Sequence, residues 1–136
     1  KRRLIMNDYR CPHCHAYLNV CEYVTFAAEK SDGTKGLILL HPEIGNFDSD
    51  YHEKFNIKEG EKVKFRCPAC HADLGAPKAK NLAHVQAISE DEKIYDVYFS
   101  RIKGERSTYK LEGESVEIYG DHSSNYQEYF NLSRMK

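Results

Sequence analysis

A nine-residue segment that occurs twice in the chain constrains the fold more than any other feature of the sequence. Residues 10–18 and 66–74 share the pattern Arg-Cys-Pro-x-Cys-His-Ala-x-Leu, in which seven of nine positions are identical. Each copy holds two cysteines separated by two residues, with a proline directly after the first. Because proline fixes its backbone φ near −65°, it favours a rigid turn at this point. The sequence therefore predicts that the same small turn is built twice.

The two turns together supply four cysteine thiols, which is the ligand number of a structural metal ion. Zinc in such sites is held by four protein ligands in a tetrahedron, and two Cys-x-x-Cys turns provide them. The predicted ligands are Cys11, Cys14, Cys67 and Cys70. Zinc is the expected metal, and iron fits the same four thiolates. Because four thiolates leave no open position for water, the pattern favours a structural ion over a hydrolytic one.

These turns resemble the knuckles of the zinc-ribbon, or rubredoxin-like, group of folds. The resemblance rests on residues 11–14 and 67–70, where Cys-Pro-x-Cys occurs twice. It implies two knuckles, each on a β-hairpin, that face one another across a single metal ion. The chain departs from the group's common pattern at His15 and His71, which stand where glycine often follows the second cysteine. It also places 52 residues between Cys14 and Cys67, which predicts additional strands between the knuckles.

The cysteine pairs also fit two other chemistries. Each copy reads Cys-x-x-Cys-His, which is the attachment motif of c-type haem. A thioredoxin-type redox pair has the same spacing but sits at the N-terminus of a helix. Here the flanking residues alternate like strands, which disfavours both a haem and a redox site. Neither His15 nor His71 is expected to bind the metal, because the residue beside a ligating cysteine usually points away from the ion.

Alternation of apolar and polar residues predicts a mainly β fold. Residues 18–26 are predicted as one strand, with Cys21 as a small buried residue. Residues 36–40 form a short aliphatic strand, and residues 62–66 form a strand that leads into the second turn. Four further strands, separated by turn residues, predict an antiparallel β-meander: 82–89, 94–102, 107–111 and 116–119. One short closing helix is predicted within 121–130.

We expect two lobes that pack together as one compact unit. Residues 1–78 form a zinc-knuckle β lobe that contains both turns and the inserted strands. Residues 79–136 form the β-meander lobe. The predicted fold is thus mainly β, with a zinc-ribbon-like knuckle pair, inserted strands and an antiparallel meander. A total of 136 residues fits a single ordinary domain.

Charge and cysteine usage limit the partners and the location. The formal net charge is −1 and the isoelectric point is about 6.7, whereas a nucleic-acid-binding domain usually carries a basic face. The one basic cluster is at residues 1–3. No apolar run approaches the ~20 residues of a membrane-spanning helix, so no membrane association is expected. Four of the five cysteines form close pairs, which is typical of metal binding in a reducing compartment and predicts a cytoplasmic protein.

No catalytic residue is predicted. The chain has no Gly-rich phosphate loop, nucleophile elbow or His-Glu-x-x-His motif, and its other histidines have no ligand spacing. The polar residues 104–108 are interpreted as a turn between strands rather than as part of a pocket. These observations favour a non-catalytic, zinc-stabilised binding or assembly module whose partner is another protein. Two alternatives stay open. One is a nucleic-acid-associated zinc ribbon that would use Lys1, Arg2, Arg3, Arg10 and Arg66. The other is a thiol-redox protein in which Cys11–Cys14 or Cys67–Cys70 cycles as a disulfide.

Overall fold

The computed structural model of the chain describes residues 7–76, 79, 81–112 and 115–122. Every regular element in this part of the chain is a β-strand, and the strands form two antiparallel sheets. The mainly β fold is therefore confirmed. None of the described residues form a helix that could span a membrane. The predicted closing helix lies, apart from residues 121 and 122, outside the described residues, as does the basic cluster at residues 1–3.

Ten strands follow one another along the chain. Their bounds are β1 (Asp8–Arg10), β2 (Asn19–Val20), β3 (Tyr23–Glu29), β4 (Lys35–Leu40), β5 (Ser49–Tyr51), β6 (Lys64–Arg66), β7 (Leu82–Ile88), β8 (Ile94–Ser100), β9 (Thr108–Glu112) and β10 (Ser115–Tyr119). Strands β2 to β6 form one sheet, which we call the knuckle sheet. Strand β1 joins β7 to β10 in the other, which we call the meander sheet. The additional strands expected between the two cysteine turns are thus present as β2 to β6.

The meander sheet has the strand order β1-β7-β8-β9-β10. Strands β7 to β10 pair with their neighbours in sequence, as the turn signals predict for a meander. Strand β1 adds to the free edge of β7, with Tyr9 opposite Ala87. The strand that leads into the first cysteine turn therefore belongs to the sheet formed by the second half of the chain.

Strand β3 is the centre of the knuckle sheet. It pairs with β4 along one edge, while its other edge pairs first with β2 and then with β6. Strand β5 continues the sheet beyond β4. Because β6 leads directly into the second cysteine turn, this sheet positions the second turn, while the meander sheet positions the first.

The single strand predicted for residues 18–26 is wrong, because a two-residue turn at Cys21 and Glu22 divides it into β2 and β3. The backbone φ angles of these two residues are 49° and 73°. Two positive φ angles are typical of a type I′ hairpin turn, which Asn or Gly usually marks in a sequence. The two turn residues here, Cys21 and Glu22, are neither Asn nor Gly. As a consequence Cys21 is exposed at the turn rather than buried, and Val20 faces outward.

A hydrophobic core lies between the two sheets. Phe26 and Phe65 of the knuckle sheet meet Phe99 of the meander sheet, with ring centroids 5.2 to 5.6 Å apart. Two of the three ring pairs are edge-to-face, the arrangement that the charge distribution of aromatic rings favours. Buried Val85 and Val97 complete the meander side of this core. The core therefore joins the residues of both halves of the sequence.

Candidate metal centre

The first cysteine turn, residues 11–16, is a tight hairpin that follows β1. Cys11 donates its N–H to the carbonyl of Ala16 at 3.0 Å, and His15 donates its N–H to the carbonyl of Cys11 at 2.9 Å. The chain then returns so that Tyr17 pairs with Arg10. These bonds fix the backbone around the two cysteines before any metal contributes. We call this turn the first knuckle.

The second knuckle, residues 67–72, repeats this geometry after β6. Cys67 donates to the carbonyl of Ala72 at 3.0 Å, and His71 donates to the carbonyl of Cys67 at 2.9 Å. Asp73 then pairs with Arg66, as Tyr17 pairs with Arg10. The sequence repeat is therefore a structural repeat, with the same two hydrogen bonds at the same lengths.

The residue after the second cysteine of each knuckle adopts a left-handed backbone conformation. The φ angle is 64° at His15 and 68° at His71. A side chain in this region usually costs about 1 to 2 kcal/mol, whereas glycine enters it freely. This explains why glycine is common here in zinc knuckles. The two histidines are exposed, and their backbone rather than their imidazole serves the turn.

The two knuckles bring their four sulfur atoms together. The Sγ atoms of Cys11 and Cys70 are 3.8 Å apart, and those of Cys14 and Cys67 are 3.7 Å apart. All four sulfurs lie within 4.8 Å of one another. A tetrahedral ion with Zn–S bonds of about 2.3 Å separates its sulfurs by about 3.8 Å, whereas a disulfide would join them at about 2.05 Å. The four predicted ligands therefore form a group that could hold one metal ion.

Burial and hydrogen bonding differ between the first and second cysteine of each knuckle. Cys11 and Cys67 are fully buried, whereas Cys14 and Cys70 reach the surface. The sulfur of Cys11 accepts the backbone N–H groups of His13 and Cys14 at 3.3 and 3.5 Å. The sulfur of Cys67 accepts two N–H groups in the same way, at 3.3 and 3.4 Å. Each buried thiolate thus receives two donors that offset part of its negative charge.

The two buried thiols, Cys11 and Cys67, differ in the direction of their pKa shifts. Burial raises the pKa of the Cys11 thiol to about 12. At Cys67 burial is outweighed by the backbone N–H groups and by the neighbouring thiols, so that its pKa is lowered. Four negative charges at these distances would repel one another, so full ionisation requires a cation in the centre. Metal binding at this site is therefore expected to release protons.

The two arginines of the repeat make hydrogen bonds to other parts of the chain. Arg10 donates its Nε–H to the side-chain oxygen of Gln86 on β7 at 2.8 Å. Arg66 donates to the carbonyl of His71 at 3.0 Å and lies 3.5 Å from the carboxylate of Glu29. Both guanidinium groups are thus already engaged in internal contacts.

The remaining histidines do not join a metal-ligand group among the described residues. His41 and His52 each accept, through Nδ1, the backbone N–H of the residue two positions later. His122 accepts the N–H of Arg106. His84 lies 2.8 Å from the carboxylate of Asp96 and stacks on a tyrosine ring. Each of these histidines thus has its own hydrogen-bond partner, in agreement with their scattered positions in the sequence.

The outer face of the knuckle sheet carries exposed apolar side chains that were not predicted from the sequence. Val20 and Tyr23 are partners across the β2–β3 hairpin. Leu37 lies on the same side of the sheet in β4, opposite Ala27, which is four residues along β3 from Tyr23. The exposed fractions of these side chains are 54%, 38% and 56%. We call these three residues the outer patch. The exposure of Val20 was not expected, because residues 18–26 were predicted as one strand, without the turn at Cys21 and Glu22 that directs Val20 outward.

Comparisons with known proteins identify no relative. No protein-family model, curated protein or solved structure matches this chain. The functional interpretation therefore depends on the geometry of the four cysteines and on the surfaces around them.

Proposed function

We propose that Cys11, Cys14, Cys67 and Cys70 hold one zinc ion as a structural centre, and that the protein is a non-catalytic module that binds another protein. The observation that carries this proposal is the closed group of four thiols at tetrahedral spacing. Four protein ligands fill a tetrahedral ion, so neither water nor a substrate has a coordination position. The centre would therefore serve the fold rather than a reaction.

The position of the centre explains what the ion would stabilise. The first knuckle follows β1 of the meander sheet, and the second follows β6 of the knuckle sheet. One ion bound to both knuckles cross-links the two sheets. Structural zinc contributes on the order of 10 kcal/mol, which is comparable to the whole stability of a typical domain. Zinc is proposed over iron because closed four-cysteine sites of this kind are its usual structural use.

Two observations support a single shared ion in a reducing compartment over thiol-redox chemistry. The sulfur contacts of 3.8 and 3.7 Å join cysteines of different knuckles, as one shared ion requires. All five cysteines are free thiols, and free thiols persist in the cytoplasm, where we propose that the protein resides.

The outer patch supports a protein as the partner. Exposed apolar side chains grouped on one sheet face often mark interaction sites, and tyrosine is enriched among residues that dominate binding energy. A nucleic-acid partner is less well supported, because Arg10 and Arg66 are engaged by Gln86 and by Glu29. Phosphate binding would have to displace these internal contacts.

The zinc centre is tested by native mass spectrometry together with elemental analysis of the purified protein. We expect one zinc per chain and no disulfide. Replacing Cys67 with serine should remove the zinc and the cooperative thermal transition together, because a buried ligand is lost. The matched control is Cys21→Ser, which should leave both unchanged since Cys21 is exposed on a turn outside the group. Stoichiometric zinc in the Cys67 variant, or two intramolecular disulfides in the unmodified protein, would contradict the proposal.

The partner surface is tested by photo-crosslinking in cells. A benzophenone amino acid at position 37 should give a discrete adduct with another protein. The matched control is position 94, because Ile94 is an apolar strand residue of similar exposure (49%) on the meander sheet. Adducts of equal yield at both positions, or none at position 37, would show that the outer patch is not the binding surface.

A further inference from the structure

A cavity of about 320 Å³ lies between the inner faces of the two sheets. Its inner wall consists of apolar side chains from both sheets: Phe26, Ile38, Phe65, Val85, Val97 and Phe99. Five of these are buried, and Phe99 is partly buried. The cavity belongs to the body of the fold and contains none of the four cysteines.

One end of the cavity reaches solvent. The loop between β4 and β5 and the loop between β8 and β9 line this end, including residues 104–108, which sequence analysis interpreted only as a turn. Exposed Glu43, Asp48 and Arg106 are part of the lining. A small molecule could therefore enter between these two loops without separation of the sheets.

The volume, which includes the open end, is larger than that of an ordinary packing defect. Protein interiors contain few voids larger than a water molecule, which occupies about 30 Å³ in the liquid. The inner wall is apolar and the open end is polar, so ordered water would find hydrogen-bond partners only near the entrance. Pockets for small molecules span about 300 to 1,000 Å³ and are lined mostly by apolar and aromatic side chains. This cavity is at the lower end of that range, so it fits a compact ligand.

The lining indicates the chemical class of the ligand. The rings of Phe26, Phe65 and Phe99 meet at the wall, and aromatic rings pair favourably with a further ring placed edge-on or offset. The charged lining residues nearly balance: three are cationic and four are anionic, namely Arg101, Lys103, Arg106, Glu43, Asp48, Glu59 and Glu105. An entrance of this kind offers no net attraction for an ion of either sign.

We propose that this cavity binds a small neutral molecule with a compact aromatic body, whose polar atoms remain at the open end. The apolar body would lie against the inner wall that these side chains form. This inference goes beyond the proposed zinc centre and protein-binding surface, because the cavity is built from the inner faces of the sheets. Failure of either proposal would leave the other standing.

A matched pair of fluorescent probes tests both the cavity and its charge preference. N-phenyl-1-naphthylamine is neutral, and 1-anilinonaphthalene-8-sulfonate has the same rings with a negative charge. We expect saturable binding of one neutral probe per chain, with an affinity at least tenfold higher than that of the anionic probe. Absence of saturable binding of the neutral probe, or equal or tighter binding of the anionic probe, would overturn the proposal.

Two substitutions on one strand locate the binding site. Leu40 lines the cavity, whereas Leu37 lies on the outer face of the same strand. Leu40→Trp should fill the entrance and weaken binding of the neutral probe at least tenfold, and Leu37→Trp should not change it. Circular dichroism and a cooperative thermal transition establish that both variants are folded. Any other pattern of binding in the folded variants would contradict the site.

A measurement on the unsubstituted protein keeps the proposal testable if Leu40→Trp does not fold. In methyl-labelled protein, nuclear Overhauser effects from the neutral probe should reach the methyl groups of Ile38 and Val97, which line the cavity. They should not reach those of Leu37. Contacts to the outer face alone would place the probe on the outer patch and refute the cavity site.

Discussion

Replacement of His71 by glycine is predicted to stabilise the protein and to tighten zinc binding. The φ angle of 68° at this position places a side chain in the left-handed region, at a cost of about 1 to 2 kcal/mol. Glycine removes that cost but gains freedom in the unfolded chain, which offsets about 0.5 to 1 kcal/mol. The net gain should be about 0.5 to 1 kcal/mol. The hydrogen bond from Arg66 survives, because it ends on the backbone carbonyl of residue 71.

The assay is chemical denaturation of the zinc-loaded protein together with zinc competition against a chelator. Because zinc binding and folding are coupled, a gain of this size should raise the apparent zinc affinity by about two- to fivefold. His71→Ala is the control: it removes the imidazole but keeps the left-handed strain, so it should show no gain. His15→Gly in the first knuckle should repeat the result, since its φ angle is 64°.

A loss of zinc affinity in His71→Gly and His71→Ala alike would refute this reasoning. That outcome would mean that the imidazole itself holds the metal or braces the knuckle. Equal stability of the glycine and alanine variants would also contradict it, because the predicted gain comes from the backbone alone.

Two further predictions concern the sheets. A Cβ at Gly36 would lie 2.6 Å from Cγ of Phe55. Gly36→Ala should therefore lower the free energy of unfolding, measured with denaturant, by about 1 to 3 kcal/mol, and by much less when Phe55 is also replaced by alanine. Equal losses with and without Phe55 would contradict the contact. Burial raises the pKa of Tyr9 to about 12, and its hydroxyl donates to the carbonyl of Pro42 at 2.6 Å. Between pH 10 and about 12 the tyrosine ionises in the unfolded chain but not in the folded protein. The folded protein therefore loses about 2 to 3 kcal/mol of stability over this range, whereas below pH 10 this contribution is fully present. Tyr9→Phe should abolish that part of the alkaline dependence and Tyr17→Phe, at an exposed position, should keep it; an unchanged alkaline profile in Tyr9→Phe would refute the assignment.

The knuckles were predictable from sequence because their signals are local. Two cysteines, a proline and a fixed spacing define each turn, and the structure brings the four cysteines of the two turns into one group. The meander was predictable for the same reason, since turn residues mark the ends of its strands. The sequence did not indicate which distant strands pair with one another. Strand β1 is short and carries no mark of its pairing with β7, which lies more than 70 residues away.

Two other features were hidden for physical reasons. The type I′ turn at Cys21 and Glu22 lacks the usual Asn or Gly, so the alternation of apolar and polar residues predicted one continuous strand there. The cavity between the sheets leaves no pattern at all. Alternation predicts which side chains face inward, as it does for Val24 and Phe26, but not how far apart two facing sheets lie. That distance depends on the combined volume of side chains contributed by both sheets.

The pairing of β1 with β7 has a consequence for how fast the chain can fold. Arg10 and Gln86 are 76 residues apart, and closing so long a loop before any contact forms slows the search for the native state. A metal ion held by both knuckles shortens this loop, because Cys70 and Gln86 are only 16 positions apart in the sequence. The free-energy cost of closing the loop then falls by about 1.4 kcal/mol. If the loop closes in the transition state, the folding rate rises roughly tenfold. Zinc would thus act early in folding, by turning the most distant strand pair of the meander sheet into a nearly local one.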